Sequence, residues 1–265
     1  MKQRTSSLIA LSEALAIFIL AILVFNLARD IPVGWAFPGV GFPLPYLAVL
    51  IVILTYWVMR GRSLRFFGKS PCDKEAEVRL FIIAVIPTLI IKGALQVVDW
   101  QGMVGAWAVS FIILIATWVV ACVSDNADGG QTSLLALGIV LFMHLPARTV
   151  SPSSDWTLLI YRCVYTGLVA FTEELIFRGV IFSQLENPSN KTWTLFTLRL
   201  TVPFVTSSLL FGLWHVINGI LVGVDVVQSL AWGLWTFFFG LYLGLVRMKS
   251  NRIVLPALLH WIVNV

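Results

Sequence analysis

The chain has 265 residues, 59% hydrophobic and only 12% charged, with a mean hydropathy of +0.93. A soluble domain of this length needs polar and charged side chains over its exterior, so the composition excludes one and makes lipid the expected solvent. The net charge of +5 sits in short stretches between apolar runs. No basic stretch is interleaved with aromatics, so no nucleic-acid partner is expected and the charge is read as a topology signal.

In chain order, apolar segments lie near 8–28, 44–60, 80–97, 104–123, 132–147, 156–183, 203–222, 227–246 and 253–265. About 20 such residues cross a hydrocarbon core. The first segment is too long for a signal-peptide core and reads as an uncleaved span. Lipid leaves only helices or closed barrels, and runs this long exclude barrel strands. The expected fold is all-α, a polytopic transmembrane helix bundle with about eight or nine spans. The segments 132–147 and 253–265 are short for a span, and the second ends at Val265. Either its helix is half-buried and supported by neighbours, or the chain continues in a longer protein. Residues 1–150 form N-terminal helices without a recognised motif, and residues 151–265 carry the polar groups discussed below. Cys72, Cys122 and Cys163 are odd in number and widely spaced, which fits neither a CxxC metal site nor a disulfide framework.

Lys2, Arg4, the Arg60–Arg79 cluster, Lys191, Arg199, Arg247, Lys249 and Arg252 fall in one set of alternate loops, and only Arg29 and Arg148 in the other. This asymmetry predicts a cytoplasmic N-terminus. Short loops, modest size and no organelle signal point to a bacterial plasma membrane.

Ionisable groups at membrane depth are functional candidates, each weighed against a structural reading. Glu13, Lys92 and Arg162 lie near span ends, where they can snorkel or pair locally, and His144 precedes Leu145-Pro146 at a helix end. The stretch Phe171-Thr-Glu-Glu-Leu-Ile-Phe-Arg-Gly-Val-Ile-Phe182 is different. Glu174 and Arg178, four apart, can form an ion pair that offsets part of its desolvation cost. Glu173 is rotated about 100° away, and this second carboxylate is the surplus that asks for a role. Phe211-Gly-Leu-Trp-His215 and His260-Trp-Ile-Val-Asn264 add two of the three histidines, each in another span. Helical spacing turns His260 and Asn264 to one side.

Depth brings these groups together. At 1.5 Å per residue, Glu173 lies about 15 Å from the cytoplasmic end of its helix, His215 about 18 Å beyond Pro203, and His260 about 12 Å after Arg252. The three are expected to converge on one cavity reached from the cytoplasmic side.

At these residues the chain resembles the CPBP family (CAAX prenyl proteases and bacteriocin-processing enzymes), whose pattern is Glu-Glu-x-x-x-Arg, Phe-x-x-x-His and His-x-x-x-Asn or Asp in separate membrane helices. The matching positions are Glu173-Glu174-Leu-Ile-Phe-Arg178, Phe211-Gly-Leu-Trp-His215 and His260-Trp-Ile-Val-Asn264. The resemblance implies a glutamate-dependent intramembrane endopeptidase. Glu173 would activate water and His215 would help to hold it. His260 and Asn264 would polarise the scissile carbonyl, with Glu174, Arg178 and Phe211 supporting. The implied substrate is a membrane-associated or lipidated protein or peptide.

Glu173, His215 and His260 are also a conceivable first shell for Zn²⁺. The absence of HExxH, and an Asn better suited to donate a hydrogen bond than to bind zinc, favour catalysis without a cofactor. Rival readings are a non-catalytic membrane protein, such as a bacteriocin-immunity protein or scaffold, and a transporter using the buried carboxylates. The transporter would show paired repeats and broken helices, which the sequence lacks.

Overall fold

The computed structural model describes residues 7–31, 43–62, 156–186, 192–195 and 198–264. The expected spans at 80–97, 104–123 and 132–147, with Lys92 and His144, lie outside them. The described elements are α1 (Ser7–Arg29), α2 (Leu44–Met59) and α3 (Trp156–Glu174), then a π-helical stretch (Leu175–Ile181) leading directly into α4 (Phe182–Leu185). The strands β1 (Thr192–Leu195) and β2 (Leu198–Thr201) come next, followed by α5 (Val202–Leu221), α6 (Val226–Ser250) and α7 (Val254–Asn264).

Helix α1, α5 and α6 are each long and apolar enough to cross a membrane, and α2 and α7 are shorter apolar helices. The apolar surface is arranged for lipid. On α1, Ala14, Ile17, Phe18 and Ala21 are buried while Ile19, Leu23 and Leu27 are exposed. On α6, Leu230 and Leu234 are exposed one turn apart. A bundle in water would bury such stripes, whereas in a bilayer they meet the acyl chains.

The chain departs from all-α at one place. β1 and β2 form an antiparallel hairpin with Thr192 opposite Thr201 and Trp193 opposite Leu200. Threonine alternates with larger side chains through this stretch, a pattern that suits a pleated ribbon better than a helix. Thr201 then turns from strand to helix: its Oγ accepts from the Phe204 backbone N–H at 3.3 Å, capping α5. Asp225 caps α6 in the same way, accepting from Val227 N at 2.9 Å and Gln228 N at 3.2 Å. Asn251, in the left-handed region at φ 53°, ends α6.

Helix α5 and α6 pack together most extensively, because small residues let their backbones meet. A Cβ on Gly212 would lie 2.7 Å from the Gly233 carbonyl oxygen, and one on Gly233 only 2.1 Å from Val216 Cγ2. Close backbone approach is the main way helices attract where no hydrophobic effect operates between them. Helix α7 is a shorter apolar helix packed against its neighbours. It buries Leu255, Ala257, Leu259 and His260 against α3 and α6, and Trp261 Nε1 donates to the Cys163 carbonyl of α3 at 2.9 Å.

Polar contacts fix which helix ends lie together. Glu13, near the start of α1, binds Arg60 beyond the end of α2 and Gln184 of α4, and Arg62 Nη2 is 3.8 Å away. At the opposite end Asn26 of α1 donates to Asn218 Oδ1 of α5 at 3.4 Å. The Glu13 end thus gathers the start of α1 and the ends of α2, α4 and α6. The Asn218 end gathers the end of α1, the start of α2 and the α5–α6 turn.

Candidate active site

The motif residues occupy the middle of the bundle. Glu173 and Glu174 close α3, and Arg178 sits in the π-helical stretch. All three are buried, Arg178 and Glu174 completely. Arg178 Nη1 donates to Glu174 Oε1 at 2.9 Å, as their spacing requires, and Nη2 donates to the Gly240 carbonyl of α6 at 2.9 Å. Its guanidinium carbon lies 4.4 Å from the Phe211 ring centroid. A Cβ at position 240 would stand 3.1 Å from Arg178 Nη2, close enough that the neighbours would have to shift by a few tenths of an ångström. A π turn spaces its hydrogen bonds five residues apart and loosens the ordinary ladder. Arg247 of α6 uses this, donating through Nε to the Arg178 carbonyl at 3.2 Å.

Glu173 stands outside that ion pair. Its Oε1 accepts from Trp214 Nε1 at 3.2 Å. Its Oε2 is buried without a hydrogen-bond partner among the described residues. Two imidazoles face that oxygen, His260 Nε2 at 3.7 Å and His215 Nε2 at 4.0 Å. Each ring is held by its other nitrogen: His215 Nδ1 lies 2.9 Å from the Phe211 carbonyl oxygen and His260 Nδ1 lies 3.0 Å from Glu174 Oε1. A carbonyl oxygen can only accept, so the contact assigns a proton to His215 Nδ1, and in the neutral ring Nε2 is then the acceptor. Phe211 packs edge-on to both rings, with centroids 4.8 Å from His215 and 5.6 Å from His260. Elements far apart in sequence therefore meet within one hydrogen-bonded cluster.

A cavity of about 460 Å³ opens from this cluster. Glu173, Trp214 and His215 form its inner end, Phe25, Tyr46, Tyr165 and Trp232 its walls, and Arg29, Val222 and Gln228 lie toward the Asn218 end. Its volume is in the range of a small-ligand or short-peptide pocket. The cavity runs away from the Glu13 end, where α1 begins, because Phe177, Phe211, Phe239 and Leu243 fill the bundle there with little or no exposure. Depth along a helix placed the residues but did not say on which side the packing is open.

Asn264 is exposed at the last position of α7, one turn after His260. Three contributors were not singled out in the sequence. Trp214 looks like an apolar neighbour of His215, and only its indole N–H gives it away. The Gly240 carbonyl carries no side-chain signal at all. Tyr46 comes from α2, well before the motif-bearing part of the chain. As for a metal, no group of three His, Cys, Asp or Glu side chains among the described residues is arranged to hold one.

One comparison with known proteins bears on this arrangement. Residues 153–265 match the family model of Rce1-like type II CAAX prenyl endopeptidases. The Rce1-like segment is the part expected to resemble CPBP proteases, and it holds both glutamates, Arg178 and both histidines. Helix α1 and α2 lie before it, yet they supply Phe25, Arg29 and Tyr46 to the cavity of the Rce1-like segment. No curated protein and no solved structure matches the chain. At the family level, the Rce1-like match and the apolar helices point to a membrane protease acting on a protein substrate.

Proposed function

We propose that the chain is an intramembrane endopeptidase that hydrolyses a peptide bond of a membrane-associated or lipidated protein or peptide with a water activated by Glu173. One observation carries the reading: Glu173 Oε2 and His215 Nε2, both acceptors, face each other at 4.0 Å beside the cavity. That separation is too long for a direct hydrogen bond and short enough for a shared water to donate to both. Glu173 takes the proton as the water attacks the scissile carbonyl, and later delivers it to the leaving amine. His260 Nδ1 lies 3.0 Å from Glu174 Oε1, and its Nε2, 3.7 Å from Glu173 Oε2, donates, when it carries a proton, to the oxygen that becomes negative. A donor held in advance in a dry site is worth more than one in water. Asn264, one turn along the same helix, joins this step if substrate binding draws it inward. No step needs a metal.

The Lys and Arg distribution supports a cytoplasmic N-terminus in a plasma membrane. The deciding experiment reconstitutes the purified chain and its Glu173→Gln variant in liposomes and follows cleavage of membrane peptides. Cleavage is expected from the first and at least about 100-fold less from the second, the usual size of a lost general base. Equal cleavage by both would remove Glu173 from its role. A non-catalytic immunity or scaffold protein would cleave nothing in either form.

A further inference from the structure

Two neighbouring residues of α5 reach the two oxygens of one carboxylate. Trp214 Nε1 donates to Glu173 Oε1 at 3.2 Å, and His215 Nε2 stands 4.0 Å from Oε2. Successive residues of a helix point about 100° apart, so α5 brackets Glu173 of α3 from two directions. The indole is fixed in its place by other elements. It is buried, with Phe25 of α1 edge-on at 5.2 Å and Phe177 of the π-helical stretch edge-on at 6.1 Å between ring centroids. An indole N–H can only donate, whereas the two imidazoles facing Oε2 can gain or lose a proton. A carboxylate oxygen that already accepts a hydrogen bond binds a proton less readily than its companion. The ring therefore distinguishes two oxygens that are otherwise equivalent.

We infer that Trp214 is a positioning residue for Glu173: its indole N–H holds Oε1, so that Oε2 is the oxygen that meets the water and takes its proton. This deepens the peptidase reading and rests on it. As the water oxygen bonds to the scissile carbon, its proton passes to Oε2, beside His215 Nε2 and His260 Nε2. It leaves from Oε2 to the amine nitrogen as the carbon–nitrogen bond breaks. Without the N–H, the carboxylate turns about its last bond and spends part of its time with neither oxygen aligned to the water. Alignment of this kind is a large share of what a site contributes to a rate. A chain that keeps Glu173 but lacks this donor therefore binds peptide as before and cuts it more slowly. Phe25 lies before the Rce1-like segment, so α1 acts on the base through this ring.

The test compares the full chain with its Trp214→Phe variant, which keeps an aromatic ring between Phe25 and Phe177 but has no N–H. The expected result is a fall in kcat of about 10-fold, the lower end of what a hydrogen bond to a charged group is worth. KM and the thermal midpoint should stay close to the parent. An unchanged kcat overturns the inference, and so does a loss of kcat that comes only with a midpoint several degrees lower, which marks a packing role. A second readout needs no cleavage. In the chain labelled with ¹⁵N at its indoles, the Trp214 N–H resonance is the one missing from Trp214→Phe. Trp214→Leu assigns it if the Phe variant fails to fold. That resonance is expected to move upfield in Glu173→Ala, which removes the acceptor, and a position indifferent to Glu173 overturns the inference. If the parent cleaves no peptide, the peptidase reading falls, and the resonance alone decides whether the indole holds the carboxylate.

Discussion

The two adjacent glutamates answer to different partners, and their variants should separate accordingly. Glu174 lies between Arg178 at 2.9 Å and His260 at 3.0 Å in a fully buried cluster. Removing one member leaves an uncompensated charge, a loss of about 3–5 kcal/mol for a buried pair. Arg178→Ala should therefore lower the thermal midpoint in detergent by several degrees. Glu173→Gln keeps the Trp214 contact and should leave that midpoint close to the parent while abolishing cleavage. A common drop in both, measured by the same unfolding assay, would contradict the division of labour. Arg178→Lys is not a rescue, since one ammonium on a flexible stem cannot reproduce a planar fork holding both Glu174 and the Gly240 carbonyl. Much of this cluster was legible in the sequence, because carboxylates and imidazoles inside apolar runs are conspicuous. Trp214 was not, because its N–H is a small polar handle on a side chain that otherwise reads as core. Gly240 was not, because what matters there is a carbonyl and the lack of a Cβ. Asn264, spaced four residues from His260, is exposed in the structure.

Among elements, the α5–α6 pair is the most sensitive to volume. Gly233→Val would drive a branched side chain into Val216, where even a Cβ would stand 2.1 Å from Cγ2. Overpacking of this kind costs about 1–3 kcal/mol, and here it also moves His215, one residue before Val216 on α5. The expected outcome is a lower thermal midpoint and a larger loss in kcat than in KM, read from unfolding and steady-state assays on one preparation. The apolar lengths foretold α1, α2, α5 and α6 to within a few residues at each end, since a span must satisfy its backbone internally and cannot be interrupted cheaply. The hairpin and the π turn were hidden for another reason. Both are local departures governed by what packs against them, and the Arg247 donation that serves the π turn comes from 69 residues away in sequence.

On the scale of the whole molecule, the described residues pack the bundle at the Glu13 end, and the cavity beside Glu173 lies toward the Asn218 end. Catalysis without a bound metal predicts that cleavage survives prolonged chelator treatment with unchanged kcat, and loss of activity restored by added Zn²⁺ would contradict it. Sequence could not show the open side, because it depends on how aromatic rings from α5, α6 and the π-helical stretch fill the space between helices. That enclosed, aromatic lining has a kinetic meaning. If the chain cuts peptides as proposed, and both halves leave through the cavity that admitted the intact chain, an apolar fragment departs slowly from its aromatic walls. Exit, not bond breaking, then sets the turnover rate, as it does in many enclosed sites. Rapid-mixing experiments should show a first burst of product matching the amount of enzyme, followed by a slower steady phase. Added product fragments should slow that second phase while leaving the burst intact.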